Sequence, residues 1–361
     1  MKDMGHQPLR LLTDVTREPF CTMVAYASGG HVITTRLTKM FGLRYPIVSA
    51  PMGLHSGGTL AAAVSKAGAL GSFGGLHPQK GTDWLLGEIA HIRTITGAPF
   101  AVGFINDFIP MFSTLFDATL EAKPPVIALS FGNPEPWLSR AKAAGAKVMC
   151  QVQTIHHARE AVAAGADLLV VQGNEAGGHT GPNNLLPFLA QIVDRFPDVP
   201  VLAAGGIASG RTLAATLAAG AEGAWVGTAL LATPEAVEVS NEHKQRIVES
   251  NGDDTVYTEV FDIVEEKVFG IKWPEGIASR VYRNRFVNEW HHREHELRSH
   301  VDEVAPAYAR ALQQRDLEST AIAMGQSAAF VDAIRPAADV VRSICEDAER
   351  ILRGRPSQLL A

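Results

Sequence analysis

The sequence has few cysteines, and they do not form pairs. The three of them, Cys21, Cys150 and Cys345, are widely separated in a chain of 361 residues. A disulfide framework or a zinc site needs cysteines at paired spacings, so this distribution argues against both. We therefore expect reduced thiols in a cytoplasmic protein, with Cys150 packed in the core.

Long apolar runs and basic blocks are lacking as well. The chain has no run of about 18 apolar residues, so no membrane span is expected. The N-terminal segment has no short apolar region behind a basic start, which argues against a secretory signal. A net charge of −6 offers no basic patch for nucleic-acid phosphates, and a hydrophobic share of 46% is enough for a large core. The composition predicts a globular protein that acts on small molecules.

One phrase recurs along the chain. An apolar helical stretch ends in Ala-Gly-Ala, and a short apolar run follows at once, at residues 67–69, 144–146, 164–166 and 219–221. Glycine just after a helix adopts the left-handed conformation that ends it, and the run that follows is typical of a strand buried on both faces. The phrase predicts helices that alternate with parallel strands.

Completing this pattern gives eight strands. We place them near 46–50, 70–74, 100–104, 126–131, 147–152, 167–172, 199–204 and 224–228, with helices between them such as 136–144, 155–164, 185–196 and 211–219. Eight such strands predict an α/β fold, the (β/α)8 TIM barrel. An open doubly wound sheet is the alternative, but it would normally carry a G-x-G-x-x-G turn where this chain has Ala50-Pro51-Met52-Gly53.

The pattern divides the chain into four parts. Residues 1–35 lack periodicity and are expected to form a flexible extension, and residues 36–250 form the barrel. Residues 251–326 are polar and mostly helical, and we expect them to lie over the barrel mouth on the substrate side. Apolar residues at helical spacing return in 327–361, which predicts a helix packed on the barrel wall.

Two glycine clusters stand where barrels bind phosphate. Gly205-Gly206 follows strand seven, just before a helix, and Gly227-Thr228 follows strand eight. Loops after these two strands commonly hold phosphate, because glycine lets main-chain N–H groups approach an anion closely. Tight turns alone would explain one cluster, whereas two clusters at the two expected positions favour a phosphate-bearing ligand.

The densest signal follows strand six. Gln172 ends that strand, and the loop Gly173–Gly181 sets four glycines around His179. Such a loop can lie against a flat ligand and present an imidazole, the side chain best suited to proton transfer near neutral pH. After strand one, Met52 offers a soft side chain that can pack on a ring. Together the loops predict a ring system with a phosphate tail, such as FMN.

These motifs resemble a known family. The segment Pro46–Gly53, the Glu-Ala-Gly-Gly-His-x-Gly phrase at 175–181, Ala204–Ile207 and Val226–Thr228 are similar to the nitronate monooxygenases, formerly called 2-nitropropane dioxygenases. The resemblance runs from about residue 36 to the C-terminus. It implies an FMN-dependent TIM-barrel enzyme that oxidises alkyl nitronates, and in some cases nitroalkanes, with O₂ to a carbonyl compound and nitrite.

The resemblance also implies the site residues. His179 would be catalytic, either as a base on a neutral nitroalkane or as a hydrogen-bonding partner of an anionic nitronate. His77 follows strand two where some family members carry Asn. By motif position the flavin would be bound by Pro51, Met52, Gly53, Gln172, Gly177, Gly178, Gly205, Gly206, Trp225, Val226, Gly227, Thr228 and Gln326.

Other interpretations stay open at this stage. The same motifs occur in NAD(P)H-dependent reductases on this barrel, acting on enoyl-ACP or quinones. A phosphate-binding sensor without turnover is possible, whereas an aldolase-like Schiff base is disfavoured because Lys147 starts its strand at the wrong end. His291 and His295 have the spacing of helical metal ligands, but the charged residues around them favour a solvated face, so we assign no metal. A monomer and a homodimer remain equally open.

Overall fold

The computed structural model describes residues 33–360. Within this range the first helix, α1, spans Arg36–Phe41, and the Thr35 hydroxyl caps its N-terminus by accepting the N–H of Thr38. Thr35 also donates its hydroxyl to the carbonyl of Glu222, which precedes the last barrel strand. The expected flexible extension, residues 1–35, lies almost wholly outside the described residues.

Eight parallel strands form the predicted (β/α)8 barrel. They are β1 (Ile47–Ser49), β2 (Gly71–Gly74), β3 (Phe100–Ile105), β4 (Val126–Ser130), β5 (Lys147–Val152), β6 (Leu168–Gln172), β8 (Val201–Ala204) and β9 (Ala224–Val226), with a short β7 (Gly178–Thr180) outside the barrel. Each pairs with its neighbours in the order β1-β9-β8-β6-β5-β4-β3-β2. A parallel bridge between Val48 and Leu70 joins β1 to β2, which closes the ring.

The barrel helices follow the strands as expected. They are α2 (Gly58–Lys66), α3 (Thr82–Ile95), α4 (Ser113–Ala122), α5 (Glu135–Ala143), α6 (Ile155–Ala163), α7 (Leu185–Arg195) and α8 (Gly210–Ala218), and a 3₁₀ helix at Asn106–Phe112 precedes α4. The glycines of the recurring phrase, at 68, 145, 165 and 220, have φ between 89° and 98°. A side chain would strain that conformation, which explains why glycine ends each of these helices.

Two apolar layers hold the barrel together. Inside it, Val48, Leu70, Met149 and Trp225 belong to one buried cluster, which Leu37 of α1 joins. The opposite strand faces pack against the helices in a much larger cluster. Strands buried on both faces explain the continuous apolar runs of the sequence. Of the cysteines, Cys150 and Cys345 are free and buried, and burial raises the pKa of the Cys150 thiol to about 12; Cys21 lies outside the described residues.

After β9 the chain builds a smaller segment. Its elements are α9 (Thr228–Leu231), α10 (Asn241–Glu249), β10 (Thr255–Thr258), α11 (Val260–Phe269), β11 (Ala278–Tyr282), α12 (Arg285–Trp290), α13 (Glu294–Ser299), α14 (Val301–Gln314) and a 3₁₀ helix at Gln326–Phe330. The segment is mostly helical, as predicted, but β10 and β11 are strands that the sequence reasoning missed. They form an antiparallel sheet with β7 in the order β10-β11-β7.

The last helix, α15 (Ala337–Leu359), returns to the barrel. It packs against α8 and α2, the helices on either side of the gap left after β9. It therefore fills the place of the eighth barrel helix. No helix among residues 33–360 combines the length and apolar character that a membrane span requires.

Candidate active site

The loop after β1 forms one side of the barrel mouth. It lies over β3, because a Cβ on Gly103 would stand only 2.4 Å from the Pro51 ring. Met52 lies toward the neighbouring strand β9, and its Sδ is 3.4 Å from the place of a Cβ on Gly227. No neighbour lies within 4 Å of the place of a Cβ on Gly53. The structure therefore brings the predicted residues after β1 beside the loop after β9.

The glycines after β8 and β9 leave main-chain N–H groups available. Gly205 and Gly206 adopt left-handed φ angles of 109° and 69°. Among the described residues, no hydrogen bond is donated by the N–H of Gly206 or Gly227. Gly325 donates its own N–H to the Thr228 hydroxyl at 2.9 Å, which ties a late segment of the chain to this loop. Unpaired N–H groups beside glycines suit an anion such as a phosphate.

The other residues predicted to bind the phosphate do not all face the barrel mouth with their side chains. Gln326 lines a cavity of about 490 Å³ together with Gly205 and Gly206. Trp225 points into the barrel interior and is 4% exposed, whereas Val226 is buried on the opposite face against the helices. The side chains of Trp225 and Val226 therefore belong to the core, and only their main chain can face a bound phosphate.

Contacts on every side hold the glycine-rich loop after β6. A Cβ on Gly177 would stand 2.5 Å from the main-chain nitrogen of Gly325, so the two segments touch backbone to backbone. Arg280, which is 7% exposed, donates to the main-chain and side-chain oxygens of Asn174 at 2.7 and 2.5 Å. Glu175 accepts the first N–H of α7 at 3.0 Å. Three separate parts of the chain thus hold this loop in place.

A buried pair of glutamines supports the catalytic candidate. Gln153 donates its amide to Gln172 Oε1 at 3.0 Å, and Gln172 donates in turn to the His179 carbonyl at 2.9 Å. Gln172 therefore positions the main chain of β7, in addition to the flavin contact predicted for it. The Oε1 atom of Gln153 is buried without a protein partner.

His179 forms a dyad with Asp262. Its Nε2 lies 2.7 Å from Asp262 Oδ1, and both side chains are mostly buried. His179 comes from β7, which pairs with β11, and Asp262 lies in the first turn of α11. The carboxylate fixes the proton on Nε2, so Nδ1, which has no partner among the described residues, carries the lone pair of the neutral ring. The geometry equips Nδ1 to accept a proton from a ligand.

A second carboxylate lies behind the dyad. Glu265, one turn after Asp262 on α11, accepts the Tyr308 hydroxyl at 2.5 Å. Burial raises the pKa of Glu265, and it raises the pKa of Tyr308 as well. Sequence reasoning missed Asp262 and Glu265, because α11 carries several acidic residues and no local pattern distinguishes these two from the others.

An aromatic side chain covers one face of the histidine. The Trp273 indole is stacked on the His179 ring, with centroids 3.5 Å apart and planes at 15°. Phe108 and Phe131 contact the indole edge-on, at centroid distances of 5.0 and 5.2 Å. These aromatic residues come from the ends of β3 and β4 and from the α11–β11 loop. They were not predicted either.

The other histidines named in the sequence analysis make no hydrogen bond or ring contact with the dyad. The His77 ring packs edge-on against Trp84 of α3 at 5.2 Å, so it is directed toward the outer helix. His291 and His295 lie on either side of the break between α12 and α13, so the i, i+4 helical spacing does not apply to them. Among residues 33–360, no group of three or more His, Cys, Asp or Glu side chains is arranged to hold a metal ion.

A family model described as nitronate monooxygenase matches residues 34–110 and 105–347. The chain belongs to the nitronate monooxygenase family. It is an enzyme, a flavin oxidoreductase on a TIM barrel. The family model spans the barrel and most of the smaller segment, including the loop of His179 and the helix of Asp262.

Curated relatives and solved structures share this barrel. The chain is 32% identical to a probable nitronate monooxygenase of Staphylococcus aureus, over 70% of this chain and 79% of that one. It is equally identical to a Mycobacterium tuberculosis (3aS,4S,5R,7aS)-5-hydroxy-7a-methyl-1-oxo-octahydro-1H-indene-4-carboxyl-CoA dehydrogenase, over 68% and 69%. FabK from Thermotoga maritima superposes with a TM-score of 0.79 at 32% identity, covering 90% and 99%. A nitroalkane oxidase from Streptomyces ansochromogenes gives 0.73 at 29%, covering 88% and 99%.

Proposed function

We propose that this enzyme binds FMN and oxidises alkyl nitronates, and the nitroalkanes that give rise to them, with O₂ to a carbonyl compound and nitrite. The observation that carries this proposal is the His179–Asp262 dyad at the barrel mouth, with Nδ1 free. A nitroalkane must lose a proton from the carbon beside its nitro group before it can be oxidised, and the dyad is built to take one. The family supports the same chemistry.

The donors and the open space at the mouth support the assignment of FMN. Gly206 and Gly227 present N–H groups without protein acceptors, which suits the phosphate. Met52 and the open space at Gly53 leave room for a flat ring on the β1 side. Gln153 keeps a buried oxygen without a partner close to Gln172. FMN would supply the redox chemistry with O₂ when bound.

The chain's own residues would do the rest. His179 Nδ1 takes the proton from the substrate carbon while Nε2–H stays bonded to Asp262, so the ring becomes an imidazolium held by a carboxylate. That positive charge then stabilises the nitronate beside it. Gln172 fixes the His179 carbonyl, and the pairing of β7 with β11 keeps the ring from turning away. A nitronate that is already an anion needs no base, so for this substrate only the positioning of the His179 ring matters.

An acyl thioester reductase or dehydrogenase is the second candidate. The Mycobacterium tuberculosis relative, named as a carboxyl-CoA dehydrogenase, favours it. Such an enzyme would keep the flavin residues and His179 but exchange hydride with a nicotinamide or an acyl chain. The free buried thiols are in keeping with the cytoplasmic location expected for either activity.

Oxygen uptake distinguishes the candidates. Purified protein loaded with FMN is given propionate 3-nitronate, and then nitroethane, with no nicotinamide present. We expect oxygen consumption with nitrite release. His179→Asn should lose the nitroethane reaction, whereas His156→Asn, an exposed histidine on α6, should keep it. No uptake from protein whose spectrum shows bound flavin, together with NAD(P)H-dependent reduction of an enoyl thioester, would overturn the proposal.

A further inference from the structure

Trp273, Phe108 and Phe131 form a continuous surface beside the dyad, which we call the aromatic wall. Phe108 and Phe131 are 8% and 7% exposed, while Trp273 is half-buried at the mouth. The indole lies against the imidazole of His179 and not in the apolar core. An aromatic residue whose main partner is the catalytic base stands where a substrate must pass.

The backbone that carries Phe131 adopts a strained conformation. Phe131 has a left-handed φ of 54°, which is costly for a bulky residue, and Gly132 follows with 73°. A Cβ on Gly132 would stand 2.0 Å from Asp107 Oδ1, so the end of β4 is pressed against the 3₁₀ helix after β3. This close approach brings Phe108 and Phe131 together under Trp273. Strain of this kind is found at functional sites more than in plain cores.

The loop that carries Trp273 connects α11 and β11, the two elements that position the dyad. It leaves α11, the helix of Asp262, at Gly270 and enters β11, the partner of β7, after Gly276. Both glycines have left-handed φ angles, 69° and 79°. The indole is therefore positioned by the same two elements that position the catalytic pair.

We infer that Trp273 determines substrate size. Asp262 occupies Nε2, and the lone pair of Nδ1 lies in the plane of the ring, so a substrate reaches Nδ1 along the ring edge with the indole directly beside it on one face. A large group on the reacting carbon would meet the wall on the indole side of this approach. We therefore expect the enzyme to accept short unbranched nitro compounds and to reject aryl-substituted ones. This inference rests on the proposed function for the nature of the substrate.

Binding of unreactive analogues tests size selection without turnover. Carboxylates share the planar shape and charge of nitronates, so propionate and phenylacetate are titrated into the flavin-loaded protein while the flavin absorbance is followed. Wild type should bind propionate more tightly than phenylacetate. Trp273→Ala should tighten phenylacetate binding about tenfold or more and leave propionate within about threefold, as removal of a steric wall predicts.

Three further variants keep the result interpretable. Trp273→Phe should behave like wild type, because a phenyl ring still covers the imidazole. Phe269→Ala removes an aromatic side chain that is 48% exposed at the end of α11 and should change neither affinity. Trp273→Leu replaces Trp273→Ala if the latter fails to fold, since leucine still packs on Phe108 and Phe131 while uncovering part of the imidazole.

The opposing results are equally definite. Equal changes for both carboxylates in Trp273→Ala, wild-type binding of phenylacetate as tight as that of propionate, or no response to either carboxylate would overturn the inference. Because carboxylates bind without being oxidised, size selection can hold while nitronate oxidation fails, and oxidation can hold while size selection fails. The two proposals are therefore tested separately.

Discussion

Asp262→Asn isolates the contribution of the dyad. Asn has the shape of Asp, so the substitution removes the charge but not the volume. In the structure Asp262 Oδ1 accepts the proton on His179 Nε2 at 2.7 Å, and Oδ2 is buried without a partner. An amide at this place can donate to Nε2 instead. The imidazole would then carry its proton on Nδ1 and could no longer act as a base toward the substrate.

The size of the effect follows from what the base contributes. General base catalysis accounts for about 10²–10⁴ in rate, and the corresponding Asp→Asn change in a Ser-His-Asp enzyme lowers kcat by roughly 10⁴ through the same exchange of tautomers. We expect kcat for nitroethane to fall by about 10²–10⁴ in Asp262→Asn. Ethyl nitronate has already lost its proton, so its turnover should fall by no more than about tenfold.

The assay is initial oxygen uptake with each substrate, at equal flavin content judged from the visible spectrum. Asp302→Asn is the matched control, because Asp302 is an exposed aspartate on the neighbouring helix α14 whose ion pair with Lys267 lies at the surface. It should leave both rates unchanged. Retention of the nitroethane rate within about threefold by flavin-loaded Asp262→Asn would refute the assignment of His179 as base.

Three further predictions concern stability. Gly177→Ala places a Cβ 2.5 Å from the Gly325 nitrogen and should lower the free energy of unfolding, measured in urea, by about 1–3 kcal/mol. It should also weaken flavin binding. Gly97→Ala, where a Cβ meets open space, should change neither. Burial lowers the pKa of His243 to about 4, so below about pH 6.5 the unfolded chain binds a proton at this histidine that the folded chain does not. The free energy of unfolding of wild type should therefore fall by roughly 3 kcal/mol between pH 6.5 and 4. His243→Gln should not show this loss. Burial raises the pKa of Glu265, so the folded state favours the protonated carboxyl, and this contribution to stability is lost as pH rises above the usual carboxyl range. Glu265→Gln should therefore raise the melting temperature at pH 7. The gain should shrink toward pH 4.

Local sequence signals were sufficient for the barrel. Buried parallel strands are short apolar runs, and the glycine after each helix has a left-handed φ, so the repeat of Ala-Gly-Ala located four of the helix ends. The glycine clusters after β8 and β9 could be read the same way, because close approach of the main chain is a local property. The loop that carries His179 could be singled out by the same kind of local signal, its cluster of glycines.

The smaller segment needed information that the local sequence does not carry. Asp262 lies 83 residues from His179 in the chain, and only the pairing of β11 with β7 brings α11 to the mouth. A signal for β10 did exist in Thr255–Thr258, whose β-branched and aromatic residues are typical of a strand. Nothing local marked Trp273, since its partners come from the far ends of β3 and β4.

The central claim is that the flavin in this enzyme takes its electrons from a nitronate. The most direct test is anaerobic addition of propionate 3-nitronate, and separately of NADPH, to the flavin-loaded protein while the visible absorbance of the oxidised flavin is recorded. We expect the nitronate to bleach it and NADPH to leave it unchanged. Bleaching by NADPH with no response to the nitronate would contradict the account and identify a nicotinamide-dependent reductase on the same barrel.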